Sequence, residues 1–144
     1  MPEKETLERA RKDKREGKAP STQAGEFVRE EIEHIREGKH GARSTKQAIA
    51  IGLSKARRAG VDLPASKGSS EETKEQAARD RRKAKSGKRP SAKRSRATRK
   101  ALKREGHSAA SKKALSRQAR SAAKKRSAAS RSRSAKKAAA TRKK

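Results

Sequence analysis

Nine of the twelve Leu, Ile, Val and Phe residues in this chain lie between Phe27 and Leu63, so one short stretch holds nearly all the material for a core. Those twelve are about 8% of the 144 residues, well below the roughly 20% under which a highly charged chain cannot offset the entropy of folding. Charged residues make up 42% and aromatic residues 1%. A globular domain spanning the whole chain is therefore not expected.

Within the apolar stretch, spacing predicts two helices. The first starts near Ser21 or Thr22 and runs to Glu37, with Val28, Ile32 and Ile35 at i, i+4 and i+7, Phe27 beside them, and Gly38 as C-terminal cap. The second is "STKQAIAIGLSKARRAG", where Ser44 and Gln47 have the spacing of a capping box and Ala59-Gly60 closes the helix. Ile49, Leu53 and Ala56 share the face expected to turn inward. Ala48, Gly52 and Ala59 form a flatter strip beside it that a neighbouring helix can approach closely. Joined by "GKHGAR", the two give a helical hairpin over residues 21–64, the one packed unit the sequence supports. So small a core is marginal, and a second copy or a protein partner is expected to complete it.

The flanks read as solvated helices. Residues 1–20 hold a charged helix over 2–16 with Glu5–Arg9 and Glu8–Lys12 pairs four apart, ended by Gly17; only Leu7 and Ala10 are available to pack. Residues 65–85 hold the linker "ASKGSS" and a charged helix opened by a Ser69–Glu72 capping box. From residue 86 to 144 the sequence is a low-complexity run of Lys, Arg, Ala and Ser. The expected fold class is mostly α: a small helical hairpin, exposed charged helices and a long disordered basic tail.

Of the net charge of +29, almost all belongs to that tail. Residues 1–80 carry 18 Lys/Arg against 15 Asp/Glu, whereas residues 81–144 carry 27 against one acid, Glu105. Such a polycation repels itself until it meets a polyanion, which makes nucleic acid the expected partner, duplex DNA first and RNA second. The tail is expected to be disordered when free and partly helical on a polyanion. Its Lys-Lys pairs at 112, 124 and 136 recur every twelve residues, so on a helix they advance by about a third of a turn and spread charge around the axis.

The phosphate-binding candidates are Lys46, Lys55, Arg57 and Arg58 on the polar side of the second hairpin helix, and the basic residues beyond it. These are Arg81, Arg82, Lys83, Lys85, Lys88, Arg89, Lys93, Arg94, Arg96, Arg99, Lys100, Lys103 and Arg104, followed by Lys112, Lys113, Arg117, Arg120, Lys124, Lys125, Arg126, Arg131, Arg133, Lys136, Lys137, Arg142, Lys143 and Lys144. Contacts of this kind release counter-ions and are salt-sensitive, but carry no base readout.

Other classes are set aside on specific grounds. Phe27 is the one aromatic residue, so no stacking platform for single strands exists. "GVDLPASKGSS" breaks the chain straight after the second hairpin helix, where a helix-turn-helix reader needs a further helix. "SGKRPS" reads as a turn, and Gly87-Lys88 lacks the earlier glycine of a phosphate-cradling loop. There is no cysteine, His34, His40 and His107 are scattered in sequence without evident ligand company, and no nucleophile, base and orienting carboxylate fall together. Neither cofactor, metal nor enzymatic activity is expected. No apolar run matches a membrane span and the N-terminus is too charged for a secretory signal, so a cytoplasmic location is expected. Phosphorylation of tail serines beside Arg or Lys would loosen binding to an anion.

Residues 37–64, through "KHG" at Lys39 to Gly41 and "STKQAIAIGLSKARRAG" at Ser44 to Gly60, resemble a family of small basic bacterial proteins whose shared domain has no assigned function. The tail resembles the Ala/Lys/Ser-rich tails of linker histones and bacterial histone-like proteins. Those resemblances imply a bacterial, nucleoid-associated protein that compacts DNA. An RNA- or ribosome-associated protein, and an adaptor whose hairpin binds a protein, are the alternatives.

Overall fold

In the computed structural model, which describes residues 1–143, the chain forms seven α-helices and no strand among the described residues. They are α1 (Lys4–Arg15), α2 (Pro20–Arg36), α3 (Thr45–Arg58), α4 (Glu71–Ser86), α5 (Ala92–Lys103), α6 (Lys112–Lys124) and α7 (Ala128–Arg142), with a short 3-10 turn at Ser108–Ala110 between α5 and α6. The mostly α class and the hairpin of α2 and α3 are as the sequence predicts.

Local chemistry sets the ends of the hairpin helices. α2 begins at Pro20, earlier than Ser21 or Thr22 as caps would allow, because proline's fixed φ suits the first helical position. It stops at Gly38, whose φ of +77° lets the Lys39 N–H donate to the His34 carbonyl and turn the chain back. At the start of α3, Ser44 Oγ accepts from the Gln47 N–H at 3.1 Å, while Gln47 Oε1 accepts from the Arg43 N–H at 2.7 Å.

The hairpin closes on small residues. Ala48, Gly52 and Ala56 form the buried strip of α3, whereas Ile49 and Leu53 are only half-buried and Ala59 is exposed. This corrects the expectation that Ile49 and Leu53 lead the inward face. A Cβ on Gly52 would lie 2.6 Å from Val28 Cα, so the backbones approach as closely as a missing side chain permits, and larger residues are pushed to the flanks.

Other parts of the same chain cover both ends of the hairpin. At the open end, Phe27, Ala24, Ala56 and Val61 pack with Ala10, and with Leu7, Leu53 and Leu63 at the edge. The first helix is thus docked, with Thr6, Ala10 and Asp13 buried and Arg9 Nε donating to Glu26 at 2.6 Å. α4 lies on α3 through Ala77 and Asp80. Its cap is Ser70, accepting from the Thr73 N–H, in place of the neighbouring Ser69.

The largest departure from expectation concerns the tail, which is helical in place of disordered. Ser91, Ser111 and Ser127 each cap a helix by accepting from the backbone N–H three residues on, so the serines divide an Ala- and base-rich run into α5, α6 and α7. Between α5 and α6 the chain returns to the loop end of the hairpin. Ala109 and Ala110 there join Ile32, Ile35, Ala42 and Ala48, with Val28 and Leu115 against them. Four hydrogen bonds hold the return: Gly41 N–H to the Leu102 carbonyl (2.9 Å), Ala42 N–H to Gly106 (3.0 Å), Thr45 Oγ1 to Ala109 (2.7 Å) and Arg36 Nε to Ala110 (2.8 Å). A Cβ on Gly41 would fall 2.0 Å from the Glu105 carbonyl oxygen, so two backbones touch here as well. With both ends covered, Met1 is the one large apolar side chain left exposed among the described residues.

Candidate nucleic-acid interface

Basic residues sort into two populations according to what surrounds them. In the folded half, three of the four cations expected on α3 are engaged internally. Lys55 Nζ is bound to Glu31 Oε1, and Arg58 Nε donates to Asp80 Oδ1 at 2.9 Å. Arg57 is 8% exposed and donates to the Leu63 carbonyl at 2.7 Å, and burial pushes its guanidinium pKa down. Lys46 alone of the four has no side-chain hydrogen bond or ion pair among the described residues. Arg81, the first of the second set, pairs with Asp62.

Asp80 organises this inner network. Fully buried, it accepts from Ser54 Oγ at 2.6 Å, from Arg58 and from Gln76 Nε2 at 3.2 Å. Burial pushes its carboxyl pKa up, but the hydrogen bonds from Ser54 and Arg58, the positive charge of Arg58 and the hydrogen bond from Gln76 together outweigh burial and hold it below the ordinary value.

Beyond Arg81 the pattern reverses. All twenty-five Lys and Arg side chains of residues 82–143 are exposed, and none makes an ion pair among the described residues. The one acid of this region, Glu105, faces Arg43 at 4.0 Å. Lys144 lies outside the described residues. Helix α6 gathers the unpaired charge most closely. Lys113, Arg117, Arg120 and Lys124 fall at i, i+4, i+7 and i+11, and with Ser116 and Ser121 they line an open groove along one side of the helix. Its other side carries Ala114, Leu115 and Gln118, half-buried toward the hairpin. A second shallow groove, lined by Ser44, Thr45, Lys46, Arg117 and Gln118, continues the first onto the start of α3. Lys46 and the α6 stripe are thereby brought onto one surface.

On α7 the basic residues surround the helix, with no buried position to orient it, whereas on α5 Lys93, Arg96, Arg99, Lys100 and Lys103 share one broad side and Arg94 lies off it. The twelve-residue spiral of lysine pairs is interrupted, since Lys124 and Lys125 end α6 and Ser127 starts a new helix before Lys136 and Lys137.

The histidines are not scattered in space. Glu31, His34 and His40 place one ligand atom each within 4.8 Å of the others, while His107 stands apart. The signal for this was the Glu-x-x-His spacing on α2, which puts both side chains on one face, followed by the Gly38 turn that folds His40 back.

Residues 4–67 match a family model described as a family of unknown function (DUF6496), and the stretch carrying the "KHG" and "STKQAIAIGLSKARRAG" resemblance lies inside it. The match ends before α4, so the unpaired basic helices lie outside it. No curated protein and no solved structure matches the chain. None of the helices among the described residues is long and apolar enough to cross a membrane.

Proposed function

We propose that this chain is a non-enzymatic, bacterial nucleoid-associated protein that binds duplex DNA largely without regard to sequence and compacts it. One observation carries the reading: twenty-five exposed basic side chains after Arg81 make no ion pair among the described residues, while nine of the eighteen before it are paired with acids of the fold. Cations arrayed on several helices, with no aromatic platform among them, suit the regular phosphate spacing of a duplex better than splayed bases. The stripe of Lys113, Arg117, Arg120 and Lys124, extended by Lys46, is the ordered part of this surface. α7 presents charge all round and so suits bridging of neighbouring duplexes, with the broad basic side of α5 beside it in sequence as a further contact.

The test is a competition between duplex DNA and ribosomal RNA for the purified chain at matched phosphate concentration, across a range of salt. Preference for DNA with a steep salt dependence and no sequence discrimination is the expected result. Preference for ribosomal RNA overturns it in favour of a ribosome-associated role.

A further inference from the structure

We propose that Glu31, His34 and His40 form a binding site for one divalent transition-metal ion, with Zn²⁺ the best match to the donors. His34 stands one turn after Glu31 on α2, and His40 returns to the same place after the turn at Gly38. His40 Nε2 lies 3.2 Å from Glu31 Oε2, and the three ligand atoms lie within 4.8 Å of one another.

Two further observations point to a cation. Glu31 is 1% exposed, yet its Oε2 accepts no hydrogen bond, although Lys55 holds the other oxygen. A buried carboxylate oxygen left without a donor is costly unless something positive faces it. Next, His40 Nδ1 lies 2.9 Å from the Gly41 carbonyl, which can only accept, so Nδ1 carries the proton and Nε2 is the atom turned toward Glu31. Fixing the remote ring N–H on a backbone carbonyl is how metal-binding histidines are oriented. A second buried oxygen without a donor, Glu30 Oε1, lies 3.9 Å from His34 Nε2 and adds negative potential at the same spot.

Two imidazole nitrogens and one carboxylate oxygen are a donor set for Zn²⁺ and its neighbours, and not for Mg²⁺ or Ca²⁺. Bonds of about 2.0–2.1 Å place tetrahedral donors roughly 3.3 Å apart. The His40–Glu31 pair already has that spacing. His34, now 3.0 Å from the half-exposed Glu3 carboxylate, closes on them by a side-chain rotation away from Glu3. Three protein ligands leave a fourth position for water.

The experiment uses the untagged full-length chain, titrated with Zn²⁺ in a calorimeter and with Co²⁺ in a spectrophotometer. One ion per chain, Co²⁺ ligand-field absorption displaced by Zn²⁺, and a higher Tm with Zn²⁺ are expected. His34→Ala and His40→Ala should each weaken binding by about tenfold or more and remove the Tm shift, whereas His107→Ala changes neither. Glu31 also holds Lys55, so the histidine variants carry the test. If His40→Ala loses helicity, His40→Gln takes its place. The proposal is overturned if the wild-type chain shows no saturable binding, which leaves the histidines as proton-mediated partners of the acids. It is equally overturned if the His34→Ala/His40→Ala double variant binds as the wild type does.

Discussion

Arg58 on α3 and Arg117 on α6 carry the same charge and stand on neighbouring helices, but they sit in opposite surroundings. Arg58 meets the buried Asp80, and its neighbours Lys55 and Arg57 are likewise taken up by Glu31 and the Leu63 carbonyl. Arg117 meets Lys113, Arg120 and Lys46 along open grooves, with no carboxylate in reach. The first group contributes to stability and is saturated; the second opposes compactness by repulsion and gains when an anion arrives. Counting charge along the chain does not separate the two groups. Pairing does.

The sharpest way to break this comparison is to replace Lys113, Arg117, Arg120 and Lys124 together by Gln. At about −0.9 in slope per phosphate contact, the log–log salt dependence of DNA binding should fall by three to four, and affinity near 0.1 M salt by roughly a thousandfold, with helicity retained. Fluorescence anisotropy across a salt series measures both. Gly52→Ala should do the reverse. A Cβ 2.6 Å from Val28 Cα forces α2 and α3 apart, lowering stability by about 1–3 kcal/mol in urea denaturation while the salt slope of the variant that remains folded is unchanged.

Gly41→Ala probes the junction between the two groups. Its Cβ clashes with the Glu105 backbone, so the 102–110 segment should lose protection in hydrogen exchange while the α1–α4 amides keep theirs. Arg58→Gln is expected to have the smallest effect, about 1 kcal/mol of stability with no change in salt slope, because its side chain is 40% exposed. The same pair sets a pH signature. Asp80 has a lowered carboxyl pKa in the folded chain, so its contribution is present above the ordinary value near 3.8 and is lost as pH falls below it. Thermal melts should show an acid-side loss in the wild type that Asp80→Asn flattens.

The sequence made the hairpin legible because its signals are local: a serine cap at Ser44, glycine stops at Gly38 and Gly60, and apolar spacing on α2. What it hid was packing by residues that count as surface in any composition. Asp80, Glu30, Glu31 and Asp13 are buried, and Ala77, Ala109 and Ala110 do the work expected of larger side chains. A helix with one leucine or none among alanine and charge gives no periodic signal, so the docking of α1 and α4 and the return of the tail were not readable. The basic candidates beyond Arg81 were legible as a set. Which members share a face depends on where Ser111 and Ser127 restart the helices, and neighbouring serines such as Ser69 and Ser70 are indistinguishable as caps until the fold chooses.

The hydrogen bonds from Gly41, Ala42, Thr45 and Arg36 to the segment between Leu102 and Ala110 also close a ring in the chain. Residues 59 to 101 leave the hairpin at one end of α3 and come back near the other, so α4, the exposed "SGKRPS" turn and α5 form a handle fixed at both ends. A protease that nicks this handle at Lys88 would yield two fragments that migrate apart in denaturing gels yet elute together from a sizing column. Scission there need not release the basic arm from the body that anchors it.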